Sequence, residues 1–387
     1  MKTLVFTLSF ILFSLQASFA QTAACPLRIT LLTCTPGEEL YSTFGHTAIR
    51  VQELTTGLDL VYNYGTFEFA PDFYSKFIRG KLLYSLSVEN FVDFLYTYQL
   101  ESRSIVEQEL QISCEKKQEL YSALQINARE ENRHYRYDFL FDNCTTRAKD
   151  IIKRHTDTPV HFKNILPANT PSFRHLIHSY LHKGNQYWSK LGIDILLGAD
   201  LDKKVTNEQA MFLPDYLLKG FDSAFAGSKP LVTPPQPVLQ MPSPLQNKSW
   251  WHPTVVFTLL LLLVAALTFV KSRWKKKAIS VFDFLFFFVL GLTGLLLLFM
   301  WFGTDHLVCR NNFNLLWALP THVVAAFFIG KERNWLNTYF QIVFWLTILL
   351  AVTWFFLPQQ MNNELLPVIL LILIRSWFLS KPKAHGT

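Results

Sequence analysis

A cysteine opens a helix-forming stretch in Tyr137-Asp138-Phe139-Leu140-Phe141-Asp142-Asn143-Cys144-Thr145-Thr146-Arg147. A histidine stands far upstream, in Thr43-Phe44-Gly45-His46-Thr47-Ala48-Ile49-Arg50-Val51. In the first turn of a helix, orphan amides and the macrodipole favour a thiolate. An imidazole beside it takes the proton, and the thiolate is the nucleophile. The backbone amides next to Cys144 are then candidates to hold a developing oxyanion. Asn63 is expected at the same sheet end as His46, where its amide oxygen can orient the imidazole as the third member of a triad. Tyr64 is the alternative for that role. Tyr64 and Arg147 are also candidates for substrate contact.

These residues need elements to hold them. Leu27–Thr33 is a β-rich run. Thr47–Val51 and Leu58–Tyr64 flank Thr55-Thr56-Gly57 and read as a hairpin that begins at His46 and ends at Asn63. Ile105–Glu109 reads as a further strand. Glu115–Glu130 has helical spacing in Leu120, Leu124 and Ala128. Thr145–Arg154 reads as a helix with Ala148, Ile151 and Ile152 inward and Asn143 as its N-cap. The expectation is an α+β domain, a small antiparallel sheet on helices.

Each residue also has a plainer reading. A cysteine at a helix start is often only a small buried side chain, and a single histidine is often structural. Asn143-Cys144-Thr145 matches a glycosylation sequon, which the bacterial layout of the chain argues against. His175, His178 and His182 have helical spacing, but no acidic or cysteine ligand accompanies them at a recognisable interval. A polar helix face is expected there, with no metal and no cofactor.

Residues 1–20 read as a secretory signal: Lys2, an apolar run from Leu4 to Leu15, and Ala17-Ser18-Phe19-Ala20 as cleavage site. Cys25 as a lipobox cysteine is the alternative, although Thr22-Ala23-Ala24 lacks the usual leading leucine. Export makes the five cysteines significant, because an odd number leaves at least one without an intramolecular partner. Cys25 with Cys34 is the most local disulfide candidate, and Cys144 is the candidate free thiol.

Residues 21–225 suffice for one domain with its own core. Residues 226–253 follow, with Pro230, Pro234, Pro235, Pro237, Pro242 and Pro244, and read as a semi-extended connector. Residues 254–387 carry five apolar runs, at 254–270, 281–301, 313–329, 339–357 and 365–379, each near the ~20 residues of a membrane span. Basic residues cluster at 271–277, at Lys331 and Arg333, and at Lys381 and Lys383, whereas the alternate connections carry only Arg310. The positive-inside rule puts residues 21–253 outside the cytoplasmic membrane and the C-terminus inside. The net charge of +7 therefore signals lipid headgroups and not nucleic acid.

The order His46 before Cys144, with Asn-Cys at a helix start, resembles the circularly permuted papain-like fold of lecithin:retinol acyltransferase and its phospholipid-using relatives. Within it, the chain resembles a family of Bacteroidota proteins with an Lnb-type N-terminal periplasmic domain. Thr43–Arg50, Tyr62–Phe67, Tyr137–Phe139, Asp142–Arg147 and Met211–Leu217 carry the likeness. The resemblance implies a periplasmic papain-like domain followed by an all-α, five-span membrane domain in the inner membrane. It also implies lipoprotein N-acyltransferase activity, with a phospholipid as acyl donor and the α-amino group of a diacylglyceryl-cysteine lipoprotein as acceptor. His46 would deprotonate Cys144, a thioester would form, and the amine would take the acyl group. In the polar connection 303–314, Asp305, His306, Arg310 and Asn312 are candidates for headgroup or amine contact, Asp305 for an ammonium and Arg310 for a phosphate. A plain solvated loop is the alternative there. A cell-wall peptidase or amidase with the same dyad, or a non-enzymatic assembly protein with a structural Cys144, are the competing functions.

Overall fold

The computed structural model describes residues 25–67, 71–242, 250–269, 273–331 and 333–381. The expected signal at 1–20 and part of the basic 271–277 connection lie outside these residues. The N-terminal part is built on one antiparallel sheet in the order β10-β5-β1-β2-β3-β4-β6, with β1 at Leu27–Cys34, β2 at His46–Glu53, β3 at Leu58–Thr66, β4 at Leu83–Asn90, β5 at Ile105–Glu109, β6 at His134–Arg136 and β10 at Gln236–Leu239. Strand β1 is central, and seven of its eight residues are buried, which explains its nearly continuous apolar run. The β2–β3 hairpin turns at Thr55-Thr56-Gly57.

Alternation of side chains splits the sheet into two cores. Ile29, Leu31, Ile49, Val51, Tyr62, Tyr64 and Leu86 face helices α3 (Cys114–Asn127) and α4 (Cys144–Arg154). Leu32, Cys34, Ala48 and Val61 face Phe94 and Tyr98 of α2 (Phe91–Leu100). A short helix, α1 (Phe73–Ile78), precedes β4. A helical layer follows α4: α5 (Phe173–Lys183), α6 (Tyr187–Leu196), α7 (Asn207–Ala210) and α8 (Pro214–Asp222).

Two expectations are corrected here. Cys25 pairs with Cys114 and not with Cys34, at a Cα–Cα distance of 5.4 Å. Strand β1 lies between Cys25 and Cys34, and its eight extended residues cover roughly 25 Å at ~3.3 Å each. Cys34 is instead a buried free thiol opposite His46 in the β1–β2 ladder. Residues 226–253 are also not an extended connector throughout. β7 (Val160–His161), β8 (Phe225–Ala226) and β9 (Lys229–Pro230) form a small second sheet, and β10 adds an edge strand to β5. An edge tolerates Pro237 because one side of the strand carries no ladder.

The C-terminal part is helical: α9 (Pro253–Phe269), α10 (Arg273–Phe302), α11 (His322–Ala326), α12 (Asn334–Thr353) and α13 (Leu366–Leu379). Among the described residues, α10 and α12 are long and apolar enough to cross a bilayer; α9 and α13, at 17 and 14 residues, are shorter. The apolar run 313–329 is not one helix. It makes a 3₁₀ turn at Phe313–Leu316, breaks before Pro320 and resumes as the five-residue α11. Proline lacks an amide donor and disfavours helical geometry in the residue before it. The broken segment lies antiparallel along α10, with Ala318 and His322–Val323 backbone against Gly294 and Gly291, where a Cβ would collide. The Arg375 guanidinium of α13 donates to both Asp283 oxygens of α10 (2.7 and 2.8 Å) and to Thr268 Oγ1 of α9 (2.7 Å).

Helix α6 joins the two parts. Its last carbonyls accept from side chains of the C-terminal part: Asn314 Nδ2 donates to Asp194 O (2.8 Å), Asn312 Nδ2 to Ile195 O (2.7 Å), and Gln359 Nε2 to Leu197 O (3.2 Å). Leu191 belongs to the same buried cluster as Phe287, Trp317 and Phe340. The Asp194 carboxylate accepts from Arg174 (2.7 Å), His178 (2.8 Å), Lys190 (3.3 Å) and Asn362 (2.9 Å). His178 is thus a buried partner of Asp194, whereas His175 and His182 are exposed.

Candidate functional site

Asn143 is the N-cap of α4 with a complete capping box. Its Oδ1 accepts from the amides of Thr145 (2.9 Å) and Thr146 (2.8 Å), and its Nδ2 donates to Phe139 O (2.7 Å) and Phe212 O (2.9 Å). Every polar atom of this buried side chain is used, so the first turn is fixed and Cys144 stands at N1. The tie to Phe212 gives the Met211–Leu217 stretch its place beside the site.

The His46 and Cys144 side chains are neighbours, close enough for each to act on the charge of the other. His46 Nε2 lies 2.6 Å from Asn63 Oδ1, so Nδ1 is the nitrogen left for the thiol. Asn63 Nδ2 donates to Glu89 Oε1 of β4 at 3.3 Å, which turns the amide oxygen toward the imidazole. Glu89 stands opposite Val61, two residues before Asn63, so Asn63 and Glu89 are diagonal neighbours on one sheet face. The thiol also meets Thr145 Oγ1 at 3.6 Å, and Thr145 Oγ1 donates to Thr47 Oγ1 at 3.3 Å.

Burial works against a thiolate at Cys144. The charge of His46, its hydrogen bond, the Thr145 hydroxyl and the Thr47 amide outweigh it and bring the thiol down to about 7. Burial likewise works against an imidazolium at His46. The Cys144 charge and hydrogen bonds to Cys144 and Asn63 prevail and raise its pKa above the ordinary value. The pair therefore favours thiolate with imidazolium, the form that attacks acyl carbons.

The oxyanion expectation changes in detail. The amides of Thr145 and Thr146 are occupied by Asn143, and that of Arg147 donates to Asn143 O at 3.0 Å. Among the amides at the start of α4, that of Cys144 itself is left facing the site. A second candidate donor is a residue the sequence did not single out. The Tyr135 hydroxyl of β6 is buried and has no hydrogen-bond partner among the described residues. Gly65 explains the space in front of it. A Cβ there would lie 3.4 Å from Cys144 Cβ and 3.9 Å from Tyr135 Oη, and Gly65 has φ +91°. A side chain at this position would fill the gap between thiol and hydroxyl.

The other expected site residues have different partners. Tyr64 points to the opposite sheet face, where its hydroxyl accepts from Asn127 at 2.9 Å, so it does not orient His46. Arg147 donates to both Asp142 oxygens (2.6 and 2.8 Å) and lies 3.5 Å over the Tyr135 ring. The 303–314 connection is docked on the N-terminal domain. Asp305 pairs with Arg136 (3.3 Å), its amide donates to Arg79 O (3.0 Å), and His306 Nε2 meets Phe77 O (2.9 Å). Asn312 caps α6, and the Arg310 carbonyl sits where a Cβ on Gly198 would be. The Arg310 side chain is exposed.

The model of the Lnb N-terminal periplasmic domain matches residues 15–178, and that of the Lnb transmembrane domain matches residues 245–383. No curated protein and no solved structure matches the chain. The two domain matches follow one another in the order the structure displays, a sheet domain with the Cys144 site and then an apolar helical part. The chain belongs to the Lnb family, as a membrane-anchored protein with a periplasmic N-terminal domain and a C-terminal transmembrane domain.

Proposed function

We propose that the protein is a thiol-dependent lipoprotein N-acyltransferase of permuted papain-like design. The observation that carries this reading is the line Cys144–His46–Asn63, with the thiol at a helix start and one imidazole nitrogen for each partner. Cys144 gives its proton to His46 and attacks the ester carbon of a phospholipid. Negative charge on the carbonyl oxygen is met by the Cys144 amide and the Tyr135 hydroxyl. The C–O bond breaks, the lysophospholipid alkoxide takes the proton from His46, and a thioester remains. The α-amino group of a diacylglyceryl-cysteine then attacks. His46 accepts a proton from the nitrogen, and the thiolate leaves with an amide formed.

The membrane anchor supports substrates of this class, because both are bilayer-embedded and tethering raises their effective concentration. In our reading the C-terminal part crosses the inner membrane five times, with 313–329 as a broken crossing packed on α10, and leaves the C-terminus cytoplasmic. Irregular backbone at that depth is tolerated where protein covers it. No cofactor, metal or nucleic acid enters the scheme.

The test uses the full chain in phosphatidylethanolamine–phosphatidylglycerol vesicles with a diacylglyceryl-cysteine lipopeptide. Mass spectrometry should show an acyl group on Cys144, then on the peptide amine, and neither with Cys144→Ser. Peptide-bond cleavage without acyl transfer would assign the same dyad to a peptidase.

A further inference from the structure

Helix α1 and the residues after it expose Tyr74, Phe77, Ile78 and Leu83, each between 46 and 71% accessible. Lys76, Arg79 and Lys81 are interleaved with them and exposed. Lys76 pairs with Asp72 at 2.7 Å; Arg79 and Lys81 have no ion pair among the described residues. This mixture of aromatic and basic side chains suits the boundary between headgroups and acyl chains.

Its height is fixed by the transmembrane part. Arg79 O accepts from Asp305 N, and Phe77 O meets His306 Nε2, only a few residues beyond the end of α10 at Phe302. Phe302 and Leu307, which flank Asp305 and His306 in sequence, are exposed as well. A second exposed apolar row exists on α2, at Val92, Tyr96 and Leu100, and among the described residues no backbone hydrogen bond ties it to the transmembrane part as Arg79 is tied.

An aromatic row connects α1 to the thiol. Phe77 stacks on Phe73 (6.0 Å between centroids), Phe73 meets Phe67 (5.5 Å), Phe67 meets Tyr84 (5.3 Å), and Tyr84 stacks on Tyr137 (4.2 Å). Tyr137 and Cys144 pack against the same buried cluster. Phe67, Tyr84, Tyr137 and Cys144 are all half-buried, so the row has an open side.

We propose that residues 71–83 are a lip that rests in the outer leaflet of the protein's own membrane, and that the aromatic row leads a phospholipid's acyl chain and ester from that leaflet to Cys144. The proposal rests on the reading that Cys144 takes its acyl group from phospholipid. Aromatic faces give an acyl chain apolar contact without a closed tunnel, and Arg79 and Lys81 attract the phosphate.

Two measurements test it on the full chain in phosphatidylethanolamine–phosphatidylglycerol vesicles. The first places a benzophenone amino acid at Tyr74 and, as control, at Val92. Illumination should give lipid adducts from position 74 and few from 92. The second compares wild type with a Tyr74→Ser, Ile78→Ser, Leu83→Ser triple variant, which leaves the aromatic row intact. Acylation of Cys144 by vesicle lipid should slow by about tenfold or more, equivalent to ~1.4 kcal/mol of lost contact. Acylation by water-soluble p-nitrophenyl butyrate should stay unchanged, which shows that the thiol site is intact. Equal lipid-dependent rates, or equal adducts at 74 and 92, would overturn the lip. If wild type reacts with the soluble ester and never with vesicle lipid, the phospholipid-donor reading fails instead.

Discussion

Asp194, in the periplasmic domain, accepts a 2.9 Å hydrogen bond from Asn362 of the transmembrane domain, 168 positions later. A carboxylate near a helix C-terminus opposes the macrodipole, and Asp194 is also almost fully buried. It is stable there because Arg174, His178 and Lys190 converge on it. The same helix end is capped by Asn312, Asn314 and Gln359. The periplasmic domain is therefore bolted to the transmembrane part by buried polar contacts, which fix the orientation of the Cys144 site relative to that part.

Removing the bolt should be costly. Asp194→Ala leaves the Arg174 and Lys190 cations and the His178 ring around an empty site, and breaking a buried ion pair costs ~3–5 kcal/mol. Asn362→Ala removes one hydrogen bond and should cost ~1–3 kcal/mol. Thermal unfolding in detergent should order the proteins wild type, Asn362→Ala, Asp194→Ala. The reverse order would make Asn362, and not the cluster of Arg174, His178 and Lys190, the main support.

Thiol reactivity should follow pH with a midpoint near 7. The thiolate is the deprotonated form, so it is present above that pH and lost as pH falls through it. Against an ordinary thiol at 9.0, Cys144 at about 7 has roughly fifty times more thiolate at neutral pH. His46→Ala removes the largest downward influence and leaves the burial that opposes it, so the midpoint should move up. Iodoacetamide labelling at a series of pH values measures this directly. Interference from Cys34 and Cys309 is small, because burial pushes both thiols up to about 12.

Much of the site was legible because local patterns carry it. The hairpin from His46 to Asn63, the N-cap at Asn143 and the helix behind Cys144 each follow from short-range rules. Tyr135 was not legible, since its strand is three residues long and pairs with β4 from far away in sequence. Glu89 was hidden for a similar reason, because its meaning depends on strand register. Helix α5 was misread at His178, where a spacing typical of a solvated face is turned inward by the buried Asp194 carboxylate of α6. The apolar run 313–329 has the composition of a span, but Pro320 and the glycine notches of α10 give it a broken path.

Tyr135→Phe should separate the two halves of the chemistry. It keeps the ring beneath Arg147 and removes the unpartnered hydroxyl. Loss of one oxyanion donor typically lowers kcat by ~10²–10³. Turnover with lipopeptide should fall by that order while iodoacetamide labelling of Cys144 keeps its rate and pH midpoint. Unchanged turnover would leave the Cys144 amide as sufficient.

Truncation tests the link between β10, α6 and the membrane. A chain ending at Pro234 lacks β10 and exposes the β5 edge, whereas one ending at Pro242 keeps that pairing. Both lose Asn312, Asn314, Gln359 and Asn362, so the carbonyls at the end of α6 and the Asp194 carboxylate lose partners. Leu191 also loses its apolar surroundings. Hydrogen exchange should therefore show α6 opening faster in both fragments than in the whole protein, and β5 amides opening faster only in the shorter one. The sheet core around Ile29, Leu31 and Ile49 should stay protected in both, because it touches neither cut. Equal protection of α6 in the fragments and the whole chain would mean that the polar contacts across the two domains add little, and that the periplasmic domain sets its orientation to the membrane by other means.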